Sequence, residues 1–145
     1  FALMQLLFDP IDSLNWAGRL THDRFDGRTD VEVTLHEAVG DCQVSNMVTE
    51  WIARSGDIPL VVPATRDVSG LDTVTADPPD GTDVSSALFL YDEGYPPLPE
   101  GNMAPDEDNE AHGSVRDLAA YTEQVGTFLE TGAIVQVCDG ACDPD

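Results

Sequence analysis

Val31, Val33, Leu35 and Val39 hold every second or fourth position of VEVTLHEAV, the period of a half-buried strand, and β-branched residues dominate it. This predicts a strand over 31–39, closed by Gly40-Asp41. Ser45 or Asn46 then caps a helix running to about Arg54. Met47, Val48, Trp51 and Ile52 fall on one stripe of it, and Ser55-Gly56-Asp57 ends it. IPLVVP is a short apolar run held between prolines, and residues 66–84, with Pro78-Pro79 and Asp80-Gly81, read as loop. SALFLY (Ser86–Tyr91) is apolar without alternation and reads as a buried strand. A Pro- and Gly-rich stretch, EGYPPLPEGNMAPDEDNE, comes next; loops of that length in a compact domain usually serve a function. From about Ser114 to Glu130 the positions of Val115, Leu118, Ala119, Thr122, Val125, Phe128 and Leu129 predict an amphipathic helix. Upstream, residues 2–8 and 11–20 read as short helices broken at Pro10, the second capped by Asp12 or Ser13, followed by a polar loop, THDRFDGRTD. No internal repeat is found.

Strands alternating with helices imply parallel β-α units in a single α/β domain or segment spanning 1–145. Two parallel strands cannot stand alone, because such sheets are multi-stranded and covered on both faces. The expected sheet is therefore cut off, to be completed by a partner chain. The opening FALMQLLFDP, apolar from its first residue and without a leading Met, reads as part of something longer and not as a signal peptide.

Charge changes the picture of partners. Acidic residues number 28 against 6 basic ones, all of them Arg, for a net charge of −22. Nucleic acid and anionic membrane surfaces need a basic footprint and are excluded. No apolar run is long enough for a membrane span. Acids scattered along a Lys-free chain suggest a saline source, where salt screens their repulsion. Cys138 and Cys142, in CDGAC, suit a small disulfide across a tight turn and hence an oxidising, secreted or periplasmic setting; two free thiols are the alternative.

Chemistry gathers at two junctions. In open parallel sheets, reactive groups collect in loops beyond the carboxyl ends of strands. Asp41 follows the first strand there, and His112 follows the second at the start of the last helix. A carboxylate can fix an imidazole's tautomer while the imidazole takes and returns a proton. Taken alone, Asp41 can be a turn residue and His112 a helix-end residue. His36 and Glu37 point to opposite strand faces and do not form a dyad; His22 lies in a polar loop. Cys42 faces the wrong charge for a thiolate and reads as a small filler. The acidic clusters DPPDGTD and DEDNE lack calcium-loop spacing. Trp51, Tyr91 and Tyr95 read as packing residues.

The segments GDCQVSN and DNEAHGSVR, in this order, resemble the acid and histidine loops of bacterial lipases and esterases of the α/β-hydrolase family. The resemblance covers nearly the whole chain but only the closing third or so of a typical member. It implies the last parallel strands of that fold with flanking helices, a carboxylic-ester hydrolase using an acid–His–nucleophile triad, and Asp41 and His112 as two of its members. The implied substrate is a small ester or lipid, and no metal or organic cofactor is implied. The pattern departs at the nucleophile: none of the seven serines stands in G-x-S-x-G. The remaining triad member would come from the N-terminal part of the hydrolase. The alternatives are a non-catalytic remnant that dimerises through its open sheet edge, or a self-contained small esterase using Ser45 or Cys42.

Overall fold

The computed structural model describes residues 2–29, 31–76, 84–96 and 107–143. Its centre is a small, all-parallel, four-stranded sheet in the order β1-β4-β2-β3, comprising β1 (Thr34–Ala38), β2 (Leu60–Val61), β3 (Thr73–Val74) and β4 (Ala87–Tyr91). β1 pairs with β4 from Thr34↔Ala87 to Ala38↔Tyr91. Because β4 is interior, all five of its residues are buried, which is why it reads as an unbroken apolar run.

Helices cover both faces. On one, Phe89 and Tyr91 pack with Ala111, Val115 and Ile134, and with Tyr121 and Phe128 of α5 (Ala119–Thr131). On the other, Leu88 and Leu90 pack with Ile58, Leu60 and Ala53, the last from α3 (Asn46–Ser55). The chain is thus a mixed α/β unit, as its alternating pattern predicts. Among the described residues no helix is long and apolar enough to cross a membrane.

Several boundaries differ from the sequence reading. The first strand begins at Thr34, because pairing starts only where β4 starts; the Val33 and Val31 amides go to Ser86 Oγ and Leu20 O instead. β3 lies inside the stretch expected to be loop; a two-residue strand has no period to detect. The helix expected over 11–20 is a 3-10 turn at Ser13–Asn15 and a single turn, α2 (Gly18–Thr21), although Asp12 caps as expected by accepting the Leu14 amide at 2.9 Å. Ser45 stands at the α3 N-cap without making a side-chain cap bond. The last helix is divided into α4 (Ala111–Ser114), a 3-10 turn (Val115–Asp117) and α5, with Leu118 extended between them. Leu129 is exposed, and the buried residue of α5 is Gln124. Trp51, expected to pack, is 44% exposed, whereas Tyr91 is core. The Cys138–Cys142 disulfide is present, and Tyr91 bridges to Cys142 beside the sheet. The Pro78-Pro79 and Asp80-Gly81 turns, the DPPDGTD cluster and residues 97–106 of the long loop lie outside the described residues.

Candidate active site

The acid loop starts from a backbone requirement. Gly40 has φ +82°, a conformation that disfavours a side chain, and a Cβ there would lie 2.9 Å from Pro96 O. Asn46 ties this turn to the first turn of α3: its Oδ1 accepts from Gly40 N at 2.9 Å and its Nδ2 donates to Ala38 O at 2.6 Å. Asp41, 6% exposed, then curls over the loop, its Oδ1 accepting the amides of Gln43 (2.8 Å) and Val44 (2.9 Å). Its second oxygen, Oδ2, lies 2.8 Å from His112 Nδ1.

The histidine loop comes to meet it. Asp108 Oδ1 accepts the Glu110 amide and Asn109 Oδ1 the Ala111 amide, folding the chain tightly ahead of α4. Glu110 is left-handed at φ +66°, a strained conformation for a residue with a side chain. Four bonds stitch the two loops together across more than sixty residues of sequence. Asn109 Nδ2 donates to Gly40 O (2.8 Å), Gln43 Nε2 to Asp108 Oδ2 (2.7 Å) and the Cys42 thiol to Asp108 Oδ1 (3.2 Å), and Cys42 Sγ accepts the Asn109 amide (3.3 Å). The Glu110 amide, helped by the Cys42 thiol, holds the Asp108 carboxyl below its ordinary range. Cys42 is therefore a connector more than a filler.

An acceptor oxygen facing Nδ1 favours, for the neutral ring, the tautomer with the proton on Nδ1 and the lone pair on Nε2. Arg116 Nη2 lies 3.1 Å from Nε2. Both His112 and Asp41 line a cavity of about 280 Å³ that runs along β1. The Val39 amide bonds Tyr91 O and the Ala87 amide bonds Val33 O, so odd-numbered residues of this stretch face β4. By alternation the backbone groups of Thr34 and His36 face the other way, onto an edge that no strand pairs with among the described residues.

All five β1 residues line this cavity, and two of them, His36 and Glu37, are ionisable. His36 stacks on Phe89 and Tyr91 and meets Tyr121 edge-on; burial pushes its pKa down to about 4, keeping it neutral. A neutral ring fits its bonds, with Thr34 Oγ1 at 2.9 Å from Nε2 and Tyr91 Oη at 3.2 Å from Nδ1. Tyr91 in turn donates to Gln124 Oε1, and Gln124 Nε2 donates to Gln136 Oε1, which accounts for a glutamine on the buried side of α5. Glu37 is 2% exposed and pairs with Arg66 at 2.5 Å, while Arg66 also holds Glu50. Burial nevertheless raises Glu37 to about 7, outweighing Arg66, and its Oε2 has no hydrogen-bond partner among the described residues. His36 and Glu37 form no dyad, as their opposite faces predict.

His22 sits 3.4 Å from Asp57 at the surface. Among the described residues no serine or cysteine hydrogen-bonds His112; Ser114 Oγ, the nearest in sequence, donates to Glu93 Oε1 and Ala111 O. Sequence reading missed the parts played by Gln43, Asn46, Asp108, Asn109 and Arg116. Asp108-Asn109 before a helix carries a local signal for side-chain turns, and Arg116 stands one helical turn beyond His112. No known family model, curated protein or solved structure matches the chain.

Proposed function

We propose that this chain forms the acid–histidine part of a carboxylic-ester hydrolase of α/β-hydrolase type. The observation that carries the reading is the 2.8 Å contact between Asp41 Oδ2 and His112 Nδ1 inside a shared cavity. In this reading Asp41 orients the imidazole and stabilises its protonated form. His112 Nε2 takes the proton from a serine supplied by a segment beyond the described residues, as the serine oxygen attacks the ester carbonyl, and returns it to the leaving alcohol. The edge of β1, unpaired among the described residues, supports a place for such a segment beside the cavity. The disulfide supports an oxidising compartment.

The test is hydrolysis of a nitrophenyl ester by the full protein containing this chain. His112→Ala and Asp41→Ala each lower turnover by several orders of magnitude, about 10⁴ for the acid by analogy with other triads. Near-native turnover in either variant overturns the assignment.

A second reading, a dimerising module of the same architecture, is favoured by a different observation. Leu3, Leu6 and Leu7 of α1 (Ala2–Phe8) are 80%, 66% and 76% exposed, and among the described residues one edge of β1 is open. Both readings expect the chain to associate, with the rest of a hydrolase or with a second copy. Light scattering on the isolated chain therefore reads above 15.6 kDa at micromolar concentration; a clean monomer contradicts the unfinished-sheet argument.

A further inference from the structure

Arg116 is placed unlike the arginines that form ion pairs. Arg19, Arg54 and Arg66 each contact a carboxylate, at 2.9, 3.0 and 2.5 Å. Arg116 directs Nη2 at His112 Nε2, and no carboxylate among the described residues lies within ion-pair distance of it. Arg24 and Arg28 also form no ion pair among the described residues, Arg24 donating to the Arg19 and Leu20 carbonyls, but neither contacts an imidazole, so what distinguishes Arg116 is its contact with His112 Nε2. Arg116 is also the one cationic side chain among the described residues lining the cavity.

Two consequences follow from elementary chemistry. A guanidinium bonded to a neutral ring nitrogen gains less than one bonded to a carboxylate, because charge-assisted bonds are roughly twice as strong and can form in pairs. Meanwhile, a lone pair that accepts from Arg116 is not free to accept a proton from a nucleophile. An arriving carboxylate would outcompete the imidazole for Arg116 and release Nε2 by doing so.

We propose that this site takes an ester bearing a carboxylate on its acyl or alcohol part, and that Arg116 binds this carboxylate, moving to it from His112 Nε2. Arg116 is then both the residue that selects anionic esters and a latch on the base in the empty site. The selection of esters rests on the hydrolase reading, but carboxylate capture is measurable without turnover.

The full chain, ¹⁵N-labelled at histidine, is titrated at constant pH with monomethyl succinate, dimethyl succinate and acetate. The His112 resonance is assigned by its loss in His112→Gln. Monomethyl succinate, which carries both an ester and a carboxylate, shifts His112 Nε2 and saturates. The neutral diester leaves it unmoved, and acetate binds more weakly. Arg116→Gln, checked for folding by circular dichroism, weakens monomethyl succinate binding about tenfold or more, and Arg116→Lys, which keeps the charge without the fork, falls between. An equal response to the diester, acetate binding as tight as the half-ester, or unchanged binding by Arg116→Gln overturns the proposal. Carboxylate capture combined with full nitrophenyl-ester turnover by His112→Ala would sink the hydrolase reading alone. Collapse of that turnover with no capture would sink the Arg116 proposal alone.

Discussion

The junction holding Asp41 and His112 and the segment from Ala2 to Thr21 are both built of short helices and turns, yet they are held in different ways. At the junction, side chains distant in sequence meet with directional bonds: Asn109 to Gly40, Gln43 to Asp108, His112 to Asp41. In the N-terminal segment α1 has no buried residue at all, and its leucines face solvent. A polar junction is completed by a few correctly placed partners, which this chain contains. An apolar helix face needs area to lie against, and the described residues do not offer it.

That contrast can be broken by substitution. The largest loss belongs to Gly40→Ala, which forces a side chain into φ +82° and against Pro96 O. We expect about 2–3 kcal/mol lost in urea unfolding and displacement of Asp41 from His112. A loss below about 0.5 kcal/mol, the ordinary range for surface changes, would show that the turn is not a constraint. Asn109→Ala follows, at about 1–2 kcal/mol, since it removes a donor to Gly40 O and an acceptor for the Ala111 amide. Equal stability of this variant and the parent would mean that the loops are held by packing alone.

The pH dependence sharpens the comparison from beneath the junction. Glu37 is raised by burial from 4.5 to about 7, so its stabilising contribution is fully present below pH 4.5 and is lost as pH rises through 7. His36 runs oppositely: with its pKa lowered from 6.5 to about 4, its contribution is present above pH 6.5 and is lost as pH falls through 4. Glu37→Gln removes the first effect and leaves the second. The stability difference, parent minus variant, should therefore shrink between pH 4.5 and pH 7 in chemical denaturation; a flat difference would count against the buried, proton-holding carboxyl.

The smallest effect lies at the other end of the comparison. Deleting residues 2–8 should change the stability of a single, unassociated copy of the chain by no more than about 0.5 kcal/mol, because none of the α1 side chains is buried within it. A loss like that of Gly40→Ala would reveal a cover for α1 within this chain.

Much of this architecture is legible in the residues themselves. Period two marks β1, an unbroken apolar run marks β4, Gly40-Asp41 marks the turn, and CDGAC carries its disulfide. These features are local: each depends on backbone preferences and burial within a few neighbouring positions. The stations of Asp41 and His112, one after each of these strands, follow from the same reading. Their contact does not. It spans 71 residues and depends on β1 and β4 lying side by side in the order β1-β4-β2-β3, which no local pattern encodes. The two-residue β3, the buried Gln124 and the placement of Arg116 on His112 were likewise decided by tertiary structure. A polar side chain's partner is set by which loops and faces the packed sheet brings within hydrogen-bond reach, and only the assembled fold contains that information.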